Sequence, residues 1–71
     1  MTMVPYRSPV FVASSVNIET GLRYMILGNA FDMTEGGNDR GREMVLYMNV
    51  NGNYFVRDIK EFNVKFRAIG E

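Results

Sequence analysis

The sequence predicts an all-β domain of five short antiparallel strands, bent into a small closed sheet, with one short helical turn before the last strand. Three observations carry that expectation. Val, Ile, Thr and the aromatics make up 24 of the 71 residues, whereas Ala and Leu number three each, Lys two and Gln none. Strand formers are abundant and strong helix formers scarce. Seven Asn and seven Gly punctuate the chain with turn residues, and the stretches between them alternate apolar and polar side chains with period two.

Residues 1–9 contain both prolines, Pro5 and Pro9, and read as an extended N-terminal arm. Residues 10–71 form a single small β domain. Its first strand is expected over Val10 to Ser15, followed by a loop over Asn17–Gly21 in which Gly21 can take a positive φ. Leu22 to Met33 is the longest strand-like stretch. Leu22, Tyr24, Ile26 and Ala30 fall on its even positions and Met25, Leu27, Phe31 and Met33 on its odd ones. Apolar residues on both faces suit one strand serving two sides of a strongly bent sheet, and Gly28 in its middle marks a bulge or kink. Thr34 to Gly41 is a polar loop with three glycines, and Arg42 to Val50 is the next strand.

Asn51-Gly52 between two β-rich runs points to a two-residue type I′ hairpin turn. That turn sets a register: Val50 opposite Asn53, Met48 opposite Phe55, Leu46 opposite Arg57. Tyr47, Asn49 and Tyr54 then share one face and Arg57 the other. At the end of the chain, Phe62, Val64, Phe66 and Ala68 alternate with polar residues, while Ile59, Phe62, Phe66 and Ile69 also satisfy a helical stripe. The expectation is a helical turn over Ile59 to Phe62 and a last strand over Asn63 to Ile69. An SH3-like barrel is the most economical closure of five such strands, because closing the sheet limits exposed edges. The alternative is an open five-stranded sheet crossed by a C-terminal helix.

The composition bounds function mainly by exclusion. Without Cys there is no disulfide framework, thiolate metal site or cysteine nucleophile, and without His there is no imidazole base or Ser-His-Asp triad. Eight basic and eight acidic side chains cancel, which argues against a broad nucleic-acid footprint. No apolar run approaches the ~20 residues of a membrane span, and no signal peptide is visible, so a cytoplasmic location is expected. A core this small supplies roughly 3–5 kcal/mol, which makes a partner or a second copy a natural supplement.

The pattern Gly21-x-x-Tyr24-x-Ile26-Leu27-Gly28-x-Ala30, then Val45-Leu46-Tyr47, then Tyr54-Phe55-Val56-Arg57-Asp58-Ile59-x-x-Phe62, resembles a small uncharacterised bacterial and phage family, the domain of unknown function numbered sixteen fifty-three. Its members read Gly-x-Tyr-x-Val-Leu-Gly-x-Ala, Val-Val-Tyr and Trp-Val-Arg-Pro-x-x-x-Phe. The similarity covers about residues 21–66. Here Phe55 stands where Trp is usual and Asp58 where Pro is usual, and the Thr34 to Arg42 loop is not family-like. The resemblance implies a compact β domain and carries no established enzyme activity.

Candidate chemistry is sparse. Eight carboxylates without a cleft give no acid–base pair, so no catalytic residue and no cofactor are expected. Asp32, Glu35, Asn38, Asp39 and Glu43 gather oxygen ligands around one loop, but their spacing is not that of an EF-hand, and Arg40 and Arg42 oppose a cation. The same loop can be read for anions, with Gly36-Gly37-Asn38 as a backbone nest and Arg40 and Arg42 as charge. Tyr47, Asn49, Tyr54 and Arg57 are candidates for a contact surface, because Tyr and Arg dominate binding hot spots. For Tyr47 the competing expectation is a core position. The expected function is a non-enzymatic module that contacts a protein partner or itself. A binder of a small anionic ligand such as a nucleotide signal is the alternative, and nucleic-acid binding through the sheet the weakest.

Overall fold

A computed structural model of the chain describes residues 10–36 and 40–70; the expected arm over residues 1–9 lies outside them. Five strands form one antiparallel sheet: β1 (Ser15–Asn17), β2 (Arg23–Asp32), β3 (Arg42–Met48), β4 (Tyr54–Asp58) and β5 (Phe66–Ala68), with helix α1 (Ile59–Lys65) between the last two. The order across the sheet is β4-β3-β2-β1-β5. The edges β4 and β5 do not pair with each other, so the sheet is open where a closed barrel was expected. The reason lies in α1, which extends to Lys65 and leaves only three residues for β5. The helix packs on β3, β4 and β5, and its side chains cover what strand pairing would otherwise have closed.

The strand expected over Val10–Ser15 instead occupies Ser15–Asn17. Ser14 ends the ladder. Its amide donates to the Tyr24 carbonyl at 2.9 Å, but the Ile26 amide donates to the Ser14 hydroxyl at 3.0 Å rather than to a main-chain oxygen. A side chain has taken the acceptor's place, so the preceding residues run beside β2 without pairing. The Asn17–Gly21 turn forms as expected. Asn17 Oδ1 accepts from the Glu19 and Thr20 amides, and Gly21 takes φ +76°.

The kink expected at Gly28 is a bulge. Ile26 pairs with Tyr47, but Gly28 pairs with Leu46, which leaves Leu27 as the extra residue. The bulge changes the parity of β2. Tyr24 and Ile26 before it and Asn29 and Phe31 after it therefore share the face of Val45 and Tyr47.

The β3–β4 hairpin differs from expectation by one residue. Met48 pairs with Tyr54, Tyr47 with Phe55, Leu46 with Val56 and Val45 with Arg57. The loop is Val50-Asn51-Gly52. The Gly52 amide donates to the Asn49 carbonyl at 3.0 Å, Gly52 alone takes a positive φ, and the Asn49 amide closes the ladder on the Asn53 carbonyl at 3.1 Å. This is a type I turn followed by a left-handed glycine, the usual three-residue loop, and not a type I′ turn. Asn49 Oδ1 stabilises it by accepting from the Asn51 and Asn53 amides at 3.0 and 2.9 Å. The slip exchanges the faces of β4.

Helix α1 runs two turns where one was expected. Asp58 caps it, with Oδ1 accepting from the Lys60 and Glu61 amides at 2.7 and 3.3 Å. Phe62 and Phe66 stack at 4.2 Å, four residues apart. With Val45 and Tyr47 they form the buried cluster, flanked by Tyr24 and Ile59. The Tyr47 ring lies 5.2–5.5 Å from those of Tyr24, Phe55, Phe62 and Phe66, within the range of favourable aromatic pairing. Met48 is buried outside this cluster, on the opposite face, with Met25 and Tyr54 as its cross-strand neighbours.

Candidate functional site

The register decides where the aromatic and arginine candidates sit. Tyr47 is 4 % exposed and its ring belongs to the core. Arg57 shares its face, against the expectation that the two lie on opposite sides. Arg57 Nε donates to the Tyr47 hydroxyl at 3.2 Å, Nη1 lies 3.4 Å from Glu61, and the guanidinium sits 5.7 Å from the Phe66 ring centre. The Tyr47 hydroxyl and, to a lesser degree, Glu61 hold the Arg57 pKa above its ordinary value. These contacts tie β4 to α1 through the core. Tyr54 is on the other face, half exposed beside Met48. Asn49 is engaged in the hairpin loop. The four contact candidates, three of them expected on one face, are thus distributed between the core, a turn and two faces of one strand.

In the loop before β3, Gly37 and Asn38 lie outside the described residues, and Gly36 is exposed with φ +78°. Arg40 Nη1 meets Glu35 at 2.7 Å and the Met33 carbonyl at 2.8 Å. Arg42 lies 3.3 Å from Asp58 and 3.9 Å from Asp32. Both guanidiniums therefore face carboxylates of this chain, which weakens the loop as an anion site. The acidic side chains are spread among these partners. Glu43 accepts from the Asn29 side-chain Nδ2, and Asp32 accepts from the Thr34 backbone amide at 3.0 Å. The Thr34 hydroxyl and amide, then Arg42, hold the Asp32 carboxyl below its ordinary 3.8. Among the described residues no three acidic side chains group as a metal site would require.

The outer edge of the sheet joins Tyr54 to two residues outside those candidates, Phe55 and Val56. Among the described residues β4 pairs only with β3, and its Tyr54, Phe55 and Val56 are 51 %, 39 % and 54 % exposed. Three consecutive exposed apolar residues on an edge strand are uncommon in a chain that stays alone. The signal was present as Tyr54-Phe55-Val56, but only the strand order identifies it as an edge. Among the described residues no helix is long and apolar enough to cross a membrane. No family model, curated protein or solved structure matches the chain.

Proposed function

We propose that the protein is a non-enzymatic binding module acting through protein–protein contact, in which the open edge of β4 pairs with a strand of a partner or of a second copy of this chain. One observation carries it: a five-residue strand whose main-chain groups lie at the edge of the described sheet and whose Tyr54, Phe55 and Val56 remain exposed. Strand addition uses those main-chain groups for affinity and alternate side chains for specificity. The resemblance of residues 21–66 to a bacterial and phage family, and an SH3-like order of elements with a helical segment before the last strand, both fit a small module of this kind.

Molar mass by light scattering, from micromolar to submillimolar concentration, tests it together with capture from a bacterial lysate. The expected result is a mass that rises above 8.1 kDa, or a retained partner. Val56→Lys should abolish either while leaving the circular dichroism unchanged, because a lysine on an edge strand opposes pairing. A wild-type protein that stays at 8.1 kDa throughout and retains nothing would overturn the proposal.

A further inference from the structure

We propose that the far end of the sheet, on the face turned away from the aromatic core, binds a small phosphate-bearing anion between Arg23 and Arg67. Val16 of β1 pairs with Arg23 of β2 on one side and with Arg67 of β5 on the other. Directly paired residues project to the same face, so the three form one row with two arginines flanking a valine. The next row, Ser15, Tyr24 and Ala68, faces the core, which places the arginines on the opposite side. Arg23 and Arg67 line a cleft of 410 Å³ together with Val16, Gly21, Ile69 and Gly70. That volume lies in the range of small-ligand sites, about 300–1,000 Å³.

The charges distinguish this cleft from the other described arginines. Arg40, Arg42 and Arg57 each meet a carboxylate of this chain. Among the described residues Arg23 and Arg67 have no ion pair, and no acidic side chain lines the cleft. Arg23 and Arg67 stand on either side of Val16, two strand spacings of about 4.8 Å apart, so an anion seated between them meets both positive charges. The planar guanidinium fork matches phosphate oxygens in pairs, and a phosphate monoester, with charge near −2 and three free oxygens, can engage two forks at once. The Ser15 hydroxyl donates to the Arg67 carbonyl at 3.2 Å from a buried position, so the backbone beneath one arginine is held in place. Gly21 and Gly70 leave the rim open, since a Cβ at either would meet nothing within 4 Å. Val16 and Ile69 offer an apolar floor for an organic substituent on the phosphate.

The site is independent of the β4 edge, and its test does not read oligomeric state. Amide chemical shifts of the labelled protein are followed during titration with inorganic phosphate, AMP and adenosine at constant ionic strength. Saturable shifts confined to Val16, Gly21, Ile69 and Gly70 are expected for phosphate and AMP, with adenosine inert. Tighter binding of AMP identifies a nucleotide-like ligand, and equal binding identifies the free phosphate; either supports the site. Arg23→Gln and Arg67→Gln should each weaken binding by about tenfold or more, the usual cost of a lost charge-assisted contact. Arg40→Gln should not change it. The site is overturned by an absence of saturable shifts at millimolar phosphate and AMP, by adenosine binding as tightly as AMP, or by affinity unchanged in the Arg23→Gln, Arg67→Gln double variant.

Discussion

Deletion of Val50 tests the hairpin register directly. In the observed loop, Asn49 and Asn53 already face each other across Val50-Asn51-Gly52. Removing Val50 leaves Asn51 and Gly52 as a two-residue loop between the same two residues, and Asn-Gly is the favoured pair for a type I′ turn. Pairing from Met48–Tyr54 onward is therefore retained. Val50 is 70 % exposed, so little burial is lost. The two bonds accepted by Asn49 Oδ1 are lost from an exposed position and the new turn offsets them, for a net change within about 1 kcal/mol. For a domain of this size that corresponds to a shift in Tm of no more than about 4–8 °C. Turning β4 over is far more costly. It would remove the Phe55 ring from Tyr24 and Tyr47 and the Arg57 guanidinium from the Tyr47 hydroxyl. Those contacts are together worth about 3–5 kcal/mol, comparable to the whole stability of a core this small. Thermal denaturation by circular dichroism gives the magnitude, and ring-to-ring nuclear Overhauser effects between Tyr47 and Phe55 confirm the face. Loss of cooperative unfolding on deletion, or absence of that ring contact, would refute the three-residue loop.

Asp58→Ala should destabilise by about 1–2 kcal/mol in urea, combining a lost N-cap with a half-exposed ion pair to Arg42. Asp58→Asn, which keeps the capping oxygen, should recover most of that loss. Phe66→Ala should cost about 3–5 kcal/mol and leave the chain largely unfolded at room temperature, whereas Phe66→Leu should stay folded. The pKa of Asp32 is depressed in the folded state, so its contribution to stability is present above 3.8 and is lost as the pH falls through the lower folded value. Thermal midpoints measured from pH 5 downwards should therefore fall less steeply in Asp32→Asn than in the wild type.

The strand content, the long β2 with its bulge at Gly28, the polar loop before Arg42 and the turn ending at Gly21 were all legible in local chemistry. Each is decided by residues adjacent in sequence. Register was not, because Asn51-Gly52 serves a two-residue loop and a three-residue loop equally well. What separates them is Arg57 meeting Tyr47 across the sheet, a contact that no local pattern contains. The start of β1 was missed for a similar reason. Val10 to Ala13 has the composition of a strand, but pairing ends where the Ser14 hydroxyl intercepts the Ile26 amide. The length of α1 was more accessible. Asp58 followed three residues later by Glu61 is a helix-start signature, and Ile59, Phe62 and Phe66 lie on one helical face. The alternation of Phe62, Val64 and Phe66 competed with it, and burial of both phenylalanines against Tyr47 settled the outcome.

The two edges of the sheet are guarded unequally, and the inequality follows from the same contacts that build the core. β5 has three residues and an exposed arginine at its centre, a short and charged edge that discourages strand addition. β4 has five residues, and its two charges are both directed elsewhere. Arg57 turns toward Tyr47 and Glu61, and Asp58 is taken up by the helix cap and Arg42. The side chains that could have protected this edge instead anchor α1 to the sheet, leaving Tyr54, Phe55 and Val56 exposed along it. Stabilising the small core and exposing the β4 edge are thus one arrangement. Any substitution that returns a charge to the edge without disturbing Arg57 or Asp58 should separate association from folding.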